Sequence, residues 1–308
     1  MIKKKQSKKH IQHHWFHLGL RALRFSLFEN IPTSQLVTES YNEISTGYDT
    51  IWTTHMRDKS IELIQKINFN KVDTALDLSC GTGFITSLLS KNTTQKPIGI
   101  DQSKGMLEVA KKNHKDCCIF INADVINYLK KQSNNQFDVV TNGWGLGYSK
   151  PYQIIKGSYN ILKPGGTFAV IDNTLFSIKE AIWSVIVTAA EDPQMFQTMF
   201  NIRFLPTLGA LKRRMIFAGF HINETWNGSK TYFVDNGKQA LNRLHKTGAF
   251  AGLEHCVYPD RKKEFNSRFI DNIERLYQSD KGIPITHRYI AAIGTKKKKT
   301  NNVLFSPF

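Results

Sequence analysis

The sequence lacks long apolar runs and any informative cysteine pattern. No run of eighteen apolar residues occurs in the 308 residues, so we expect no membrane-spanning helix. The four cysteines show neither the spacing of a metal site nor a disulfide framework, so we expect no bound metal and a reducing, cytoplasmic location. Apolar content is ordinary for a globular protein, and the length allows one large domain or two small ones.

Acidic residues are absent from two stretches, residues 1–28 and 295–308. These stretches carry eleven of the seventeen net positive charges, so the body of the chain is only mildly basic. A basic excess is typical of proteins that bind nucleic acid or anionic membranes, and here it points to the ends of the chain. We therefore interpret 1–45 as a basic amphipathic extension and 296–308 as a basic tail.

Residues 8–29 are predicted to form an amphipathic helix. At 100° per residue its histidines and arginines gather on one face, while tryptophan, phenylalanine and leucine lie to the other sides. This pattern is typical of a helix that lies on an anionic membrane. It also fits a helix packed over the domain or an organellar targeting segment, and the sequence leaves these readings open.

The most informative stretch runs from Ala75 to Gly83. It lacks the third glycine of a dinucleotide-binding fingerprint, because Thr86 stands at that position. A short apolar run contains Asp77, and a glycine-paired turn then leads into an apolar helical pattern. Strand, tight loop and helix form the first unit of a nucleotide-binding α/β sheet. A carboxylate at the mouth of this loop repels a pyrophosphate and suits a cationic head such as an ammonium. The pattern therefore favours S-adenosylmethionine over NAD.

Strand and helix patterns alternate through residues 74–172 and predict a parallel sheet with helices on both faces. Beyond residue 174 the predicted helices exceed what such a sheet needs, and we interpret 174–285 as including a lid over the substrate. Strands are predicted at 74–79, 97–101, 119–122, 137–141, 167–172, 221–225, 231–234 and 288–294.

Five motifs in order carry a resemblance to a known family. They are VDTALDLSCGTGFITSLL, PIGIDQSKGMLEVAKK, FINADVINYL, FDVVTNGWGLGY and ILKPGGTFAVIDN. Over roughly residues 40–295 the chain resembles class I S-adenosylmethionine-dependent methyltransferases, and it looks most like their small-molecule subgroup of the quinone- and biotin-pathway type. The resemblance implies one α/β domain at 46–295: a seven-stranded Rossmann-like methyltransferase sheet in the order 3-2-1-4-5-7-6, with strand seven antiparallel, helices on both faces and a helical lid.

The resemblance also implies a cofactor site outside the carboxyl ends of the strands. Asp77 is expected near the methionine end of S-adenosylmethionine, with backbone amides of Gly81 and Gly83 for its carboxylate, and Asp101 is expected to accept both ribose hydroxyls. Serine at position 79 departs from the family's usual glycine and would be strained if φ were positive. The expected cofactor-binding residues are Tyr48, Asp77, Ser79, Cys80, Gly81, Gly83, Asp101, Gln102, Met106, Asp124, Val125, Asn142 and Gly143.

No residue stands out by its pattern as a catalytic base. The loop 142–148 is expected beside the transferable methyl, where an aromatic face can stabilise a sulfonium. In-line alignment can supply much of the rate for a nucleophilic acceptor, whereas a carbon or hydroxyl acceptor needs a base. The candidate catalytic residues are Tyr148, His55 and His287; for each histidine a structural or surface role is the alternative.

Together these patterns predict a methyltransferase that acts on a small-molecule or lipid-like acceptor, by O- or C-methylation and direct displacement. A peripheral contact with anionic membrane is predicted through residues 8–29. One alternative is an RNA methyltransferase, suggested by the basic ends; the strand-four loop lacks the Asn/Asp-Pro-Pro-aromatic arrangement of such enzymes, so nucleic acid is not the expected partner. The other is a non-catalytic S-adenosylmethionine-binding assembly factor.

Overall fold

The computed structural model describes residues 15–25, 33–198 and 202–298. Within these ranges the chain forms seven strands that belong to one sheet. They are β1 Ala75–Leu78, β2 Ile98–Asp101, β3 Ile119–Asn122, β4 Phe137–Gly143, β5 Leu162–Asn173, β6 Phe220–Val234 and β7 Ile283–Lys296.

A single π-helical turn, Asp49–Thr53, lies between the second and third α-helices. In the described ranges, eleven α-helices surround the sheet. They are α1 15–25, α2 Thr33–Ile44, α3 Thr54–Gln65, α4 Phe84–Leu89, α5 Lys104–His114, α6 Val125–Lys131, α7 Pro151–Ile161, α8 Lys179–Glu191, α9 Leu208–Ala218, α10 Gly237–Lys246 and α11 Lys262–Tyr277.

The strand order is β3-β2-β1-β4-β5-β7-β6. Strands β1 to β5 are parallel to one another, and β7 is antiparallel to both β5 and β6. The fold class and the antiparallel seventh strand that the family resemblance implied are confirmed. Because the parallel strands all end at the same edge, the loops that follow β1 to β4 meet there.

Helices cover both faces of the sheet. On one face Met215 of α9 and Ile154 of α7 are fully buried in the same cluster as Phe168 of β5. On the other face Leu63 of α3 and Leu89 of α4 are buried with residues of the central strands. Burying each such side chain stabilises the fold by about 1.5–3 kcal/mol, so these two layers fix the sheet that presents the loops.

The helices between residues 174 and 285 divide into two groups. Helix α9 belongs to the layer on the sheet, where it contacts α7 and β6. In contrast, α8, α10 and α11 enclose a separate cluster that includes Phe250 and Phe269 and reaches the start of β7 at Ile283. Helix α9 is therefore part of the layer on the sheet and not of the predicted lid, and for α8, α10 and α11 the lid stays a prediction.

Two elements differ from the sequence prediction. Strand β6 is continuous, whereas the sequence predicts two separate strands at 221–225 and 231–234, because it pairs with β7 from Phe220 to Val234. Helix α6 was not predicted. Its start is capped by Asp124, whose Oδ1 accepts the backbone N–H of Asn127 at 2.8 Å, which is a typical N-cap.

The predicted N-terminal helix is described only as α1. Its other parts, 8–14 and 26–29, lie outside the described residues, as do 1–14 of the extension and 299–308 of the tail. Arg21 of α1 donates from Nη2 to the carbonyl of Phe196 at 2.6 Å, and Phe25 is buried. Within the described ranges, no helix is both long and apolar enough to cross a bilayer.

Candidate functional site

A cavity of about 1070 Å³ lies at the carboxyl ends of β1 to β4, and we call it the first cavity. Its wall carries three carboxylates, Asp77, Asp101 and Asp124. None of its lining residues, all of which belong to the described chain, is a lysine, arginine or histidine. A cleft lined by one sign of charge attracts the opposite sign, so this cavity fits a cationic ligand and opposes a pyrophosphate.

Asp77 lies at the base of the first cavity, on β1. Its two carboxylate oxygens accept hydrogen bonds from the hydroxyls of Thr86 and Thr141, both at 2.7 Å. Burial nevertheless raises the pKa of Asp77 to about 7, because the charged form is poorly solvated there. A cation that entered the cavity would shift this carboxyl towards its ionised form.

Asp101 joins the end of β2 to the loop after β1. Its Oδ2 accepts the backbone N–H of Gly81 at 2.8 Å and its Oδ1 accepts that of Ser103 at 2.8 Å. Burial raises its pKa against these hydrogen bonds. Gly81 has a φ of +54° and no atom within 4 Å of where a Cβ would stand, so a ligand can approach the backbone closely.

The segment before β1 closes over these loops through two residues that the sequence analysis missed. Asn42 of α2 accepts at Oδ1 from the hydroxyl of Ser103 (2.7 Å) and the N–H of Gly105 (3.0 Å). Asp49 accepts the hydroxyl of Thr82 at 2.5 Å. Both contacts span large separations in sequence and belong to no local motif, so a pattern search had no signal for them.

A second cavity, of about 900 Å³, lies beyond the first, between the end of β5, helix α8 and the segment after α10. Its wall is mainly aliphatic and aromatic, and among its lining residues, which are all described, none is Lys, Arg, Asp or Glu. The two cavities share four lining residues: Tyr41, Trp52, Trp144 and Tyr148.

These four side chains, which we call the aromatic wall, are held by edge-to-face contacts. The rings of Trp52 and Trp144 are 5.6 Å apart at 90°, and those of Tyr41 and Tyr148 are 6.0 Å apart at 78°. Trp144 donates from Nε1 to the hydroxyl of Ser60 at 3.0 Å. Burial raises the pKa of Tyr148 well above its ordinary value, so its phenol is neutral.

Eleven of the thirteen predicted cofactor-binding residues line the first cavity, and Gly83 and Asn142 do not. Gly83 donates its N–H to the carbonyl of Cys80 at 2.9 Å. The Gly81 N–H is engaged by Asp101, so neither glycine amide points to a ligand carboxylate as expected. Asn142 is fully buried and donates from Nδ2 to the carbonyl of Leu78 at 3.1 Å; it fixes β4 against β1.

The three predicted catalytic residues have different positions. Tyr148 lines both cavities, and His287 of β7 lines the second. His55 lines neither cavity; it faces a groove on the outer side, with Lys230 and Arg243. It therefore cannot contact an acceptor in the second cavity directly, although its ring is 5.5 Å from that of His287.

Comparison with known proteins agrees with this arrangement. A family model described as a methyltransferase domain matches residues 76–170. The chain is 30% identical over 201 residues to a demethylmenaquinone methyltransferase of Staphylococcus saprophyticus, covering 62% of this chain and 76% of that protein. It is 33% identical over 134 residues to the Oceanobacillus iheyensis protein of that name, covering 40% of this chain and 55% of the relative, so this match spans about half of the relative.

A malonyl-acyl-carrier-protein O-methyltransferase of Brevibacillus brevis is 24% identical over 255 residues, 78% of this chain and 88% of that protein. Two solved structures share the fold, each with a TM-score of 0.54 and 16% identity. The match to a Bacillus halodurans protein assigned as a methyltransferase covers 78% of this chain and 100% of that protein. The match to the cyclase SpnF covers 85% of this chain and 93% of that protein. The chain belongs to the S-adenosylmethionine-dependent methyltransferase family, and S-adenosylmethionine is its cofactor.

Proposed function

We propose that this protein transfers the methyl group of S-adenosylmethionine to an apolar small molecule held in the second cavity. The observation that carries the proposal is the aromatic wall, which is shared by a cavity suited to a cation and a cavity suited to an apolar molecule. A methyl donor in the first cavity and an acceptor in the second would both contact the aromatic wall, which would bring the two together for direct displacement. Alignment of reacting groups can lower the barrier by about 7–11 kcal/mol.

The first cavity supplies the groups that this cofactor needs. When bound, S-adenosylmethionine supplies an electrophilic methyl on a positively charged sulfur. Asp77 would attract the ammonium, and Asp101 would accept the ribose hydroxyls with the lone pairs that its backbone contacts leave unused. Asp124 and Met106, which line the same cavity, would border the adenine. The neutral rings of Trp144 and Tyr148 would stabilise the sulfonium by about 0.5–2 kcal/mol.

The second cavity favours a neutral acceptor. A carboxylate or phosphate buried there would lack a cationic partner, because the lining contains no Lys or Arg, and burying an unpaired charge is costly. The relatives are named as methyltransferases of demethylmenaquinone and of malonyl-acyl-carrier protein. Of these, the uncharged apolar ring matches the lining better than the free carboxylate.

Calorimetric titration with S-adenosylmethionine tests the cofactor half of the proposal. Asp101→Ala should lose most of the affinity, whereas Asp116→Ala, a change at an exposed acid outside the cavities, should bind like the wild type. Equal binding by the Asp101→Ala and wild-type proteins would contradict the assignment of the first cavity.

Mass spectrometry of an apolar cell extract, incubated with the protein and methyl-labelled S-adenosylmethionine, tests the acceptor half. We expect a labelled apolar product. Ala249→Leu, which adds bulk to the second cavity, should raise KM for that acceptor without changing cofactor affinity. Cofactor binding without any labelled product would favour the non-catalytic alternative.

We propose further that helix α1 touches an anionic membrane. It exposes four apolar side chains to solvent, and residues 1–28 of the sequence carry seven basic residues and no acid. The exposed side chains are Trp15, Phe16, Leu20 and Leu23. Sedimentation with phosphatidylglycerol vesicles should fall for a Phe16→Ser, Leu20→Ser double variant and not for Leu276→Ser, an exposed site on α11. Equal sedimentation of all three proteins would exclude this contact.

A further inference from the structure

His287 is a buried polar side chain without a partner. It is 1% exposed and lines the second cavity. Neither of its ring nitrogens has a hydrogen-bond partner among the described residues. A buried polar group left unpaired costs about 1–3 kcal/mol, so the imidazole is set to bind a polar atom of whatever occupies the cavity.

His55 connects His287 to the outside. The two ring centroids are 5.5 Å apart. At this distance a ring nitrogen of His55 can form a hydrogen bond with one of His287, either directly after rotation of a ring or through one water molecule. The Nε2 of His55 is buried and unpartnered within the described chain. The same residue lines an open groove of about 1030 Å³ on the outer surface, so the pair lies between the second cavity and this groove.

The groups around the pair set its protonation. Burial lowers the pKa of His287 to about 3, with further lowering by His55 and Arg243. Burial also lowers the pKa of His55 to about 4, with Lys230 and Arg243 acting in the same direction and Asp58 opposing. Both rings are therefore neutral at pH 7, and a neutral imidazole offers one acceptor nitrogen and one N–H donor.

The outer groove beside the pair is lined by three basic residues, Lys230, Arg243 and Lys246, and its lining, all within the described chain, includes no acid. Lys230 of β6 forms an ion pair with Asp58 of α3 at 2.8 Å. The guanidinium of Arg243 from α10 stands 4.0 Å over the ring of Tyr232, which lies 5.2 Å from His55 and 5.9 Å from His287. Glu180 of α8 accepts a hydrogen bond at Oε2 from the backbone N–H of Thr286 at 3.3 Å.

We propose that His287 and His55 form a two-histidine relay that carries the proton of an acceptor hydroxyl out of the second cavity. This inference rests on the proposed methyl transfer. The acceptor oxygen bonds to the methyl carbon, the carbon–sulfur bond breaks with its electron pair remaining on sulfur, and the hydroxyl proton passes to His287. His287 releases its other ring proton to His55, and water in the groove takes a proton from His55. One proton leaves the cavity in each turnover.

The relay restricts the chemistry of the acceptor. An aromatic or enolic hydroxyl gives up its proton more readily than an aliphatic alcohol does, so a neutral imidazole that acts as general base suits the aromatic or enolic hydroxyl. The cations beside His55 repel an added proton and favour its release to the groove. The site would therefore methylate an apolar molecule that carries an aromatic or enolic hydroxyl.

Binding of 1-naphthol and of naphthalene tests the contact with His287 without any turnover. Wild-type protein should bind 1-naphthol about tenfold more tightly than naphthalene, the effect of one hydrogen bond to a buried group. The ratio should fall close to one in His287→Phe and stay high in His221→Gln, a histidine exposed on β6. Circular dichroism checks folding, and His287→Leu, which also removes both ring nitrogens, serves if the phenylalanine variant unfolds. An unchanged ratio in either folded variant would overturn the contact.

Solvent exchange of the His287 ring N–H, followed by NMR with nitrogen-labelled histidine, tests the path through His55. Exchange should slow by about tenfold or more in His55→Leu, which corresponds to roughly 1.4 kcal/mol on the barrier, and should match the wild type in His221→Gln. Equal rates in His55→Leu and wild type would exclude the relay. Neither readout requires methyl transfer, so failure of the proposed function would appear separately, as wild-type protein that binds no S-adenosylmethionine.

Discussion

Ser79 and Gly145 are packed so closely that a Cβ on Gly145 would lie 2.5 Å from the Cβ of Ser79. The contact joins the loop after β1 to the loop after β4, on the wall of the first cavity. Ser79 has a φ of +57°, a region that favours glycine. The strain anticipated for a serine at this position is therefore present.

Replacing Ser79 by glycine should stabilise the protein slightly. The left-handed conformation costs a non-glycine residue about 1–2 kcal/mol, which glycine does not pay. Glycine loses more conformational freedom on folding, and this offsets about 0.5–1 kcal/mol of the gain in stability. We expect the free energy of unfolding, measured by urea titration, to rise by up to about 1 kcal/mol.

The reverse change on the partner loop provides the control. Gly145→Ala introduces the colliding Cβ and should lower the free energy of unfolding by about 1–3 kcal/mol, as overpacking does. Adding Ser79→Gly to that variant should recover part of the loss, because the colliding Cβ of Ser79 is then gone. A Ser79→Gly protein less stable than the wild type would show that the serine side chain contributes more than its backbone strain costs.

Cofactor affinity should increase with pH through the titration of Asp77. Its pKa is raised to about 7, so the free protein has a protonated carboxyl at pH 6 and a carboxylate at pH 8. A bound ammonium favours the carboxylate. We expect Kd for S-adenosylmethionine, measured calorimetrically, to fall between pH 6 and pH 8.

Asp77→Asn removes this titration and keeps the shape of the side chain. Its Oδ1 can accept from one of the two threonine hydroxyls, and its Nδ2 can donate to the other hydroxyl. Its Kd should be higher than that of the wild type at pH 8 and should change little with pH. A wild-type affinity that is flat from pH 6 to pH 8, or that falls as pH rises, would separate Asp77 from the ammonium site.

The sequence predicts the cofactor loops well because their signals are local. A strand ending near Asp77, a glycine turn, and an acid at the end of the next strand are read from neighbouring residues, and Asp101 does line the cavity. Contacts made across the chain are not visible in this way. Tyr41 and Asn42, on a helix far from the motifs in sequence, complete the site through tertiary packing alone.

The same limit explains the assignments that changed. Gly83 fits the motif, but its amide is used inside its own loop. His55 and His287 were both predicted to be catalytic because they are histidines. In the structure His287 lines the second cavity, whereas His55 lines the outer groove. The stretch 226–230 lies between two predicted strands, and pairing with β7 joins these two into one strand.

Asp172 should control the position of the loop after β4. It is buried at the end of β5 and accepts the backbone N–H of Gly147 at 2.7 Å. Asp172→Ala leaves that N–H unpaired and should lower the free energy of unfolding by about 1–3 kcal/mol. It should also lower kcat by about tenfold or more, because a small misplacement of reacting groups is costly.

Affinity for S-adenosylmethionine should be nearly unchanged in Asp172→Ala, since Asp172 does not line the first cavity. Asp172→Asn keeps an acceptor oxygen and should retain most of the activity. A large loss of cofactor affinity in Asp172→Ala, with kcat preserved, would show that the loop after β4 serves binding and does not align the reacting groups.

Acid should destabilise the protein through His287 and His55. The unfolded chain protonates a histidine near pH 6.5, whereas the folded pKa values are about 3 for His287 and about 4 for His55. Between pH 6.5 and pH 4 the unfolded state therefore binds more protons, and stability falls as pH is lowered through this window.

The double variant His55→Gln, His287→Phe should weaken this dependence. Each histidine contributes at most about 1.4 kcal/mol per pH unit, and His55 contributes less because it is partly exposed. Urea titrations of both proteins at pH 6.5, 5.5 and 4.5 measure the difference between their slopes. That difference isolates the histidines, because Asp77, whose raised pKa acts in the opposite direction, is present in both. Parallel slopes would mean that the two imidazoles are protonated in the folded protein, and neutral rings could then no longer be assumed at the second cavity.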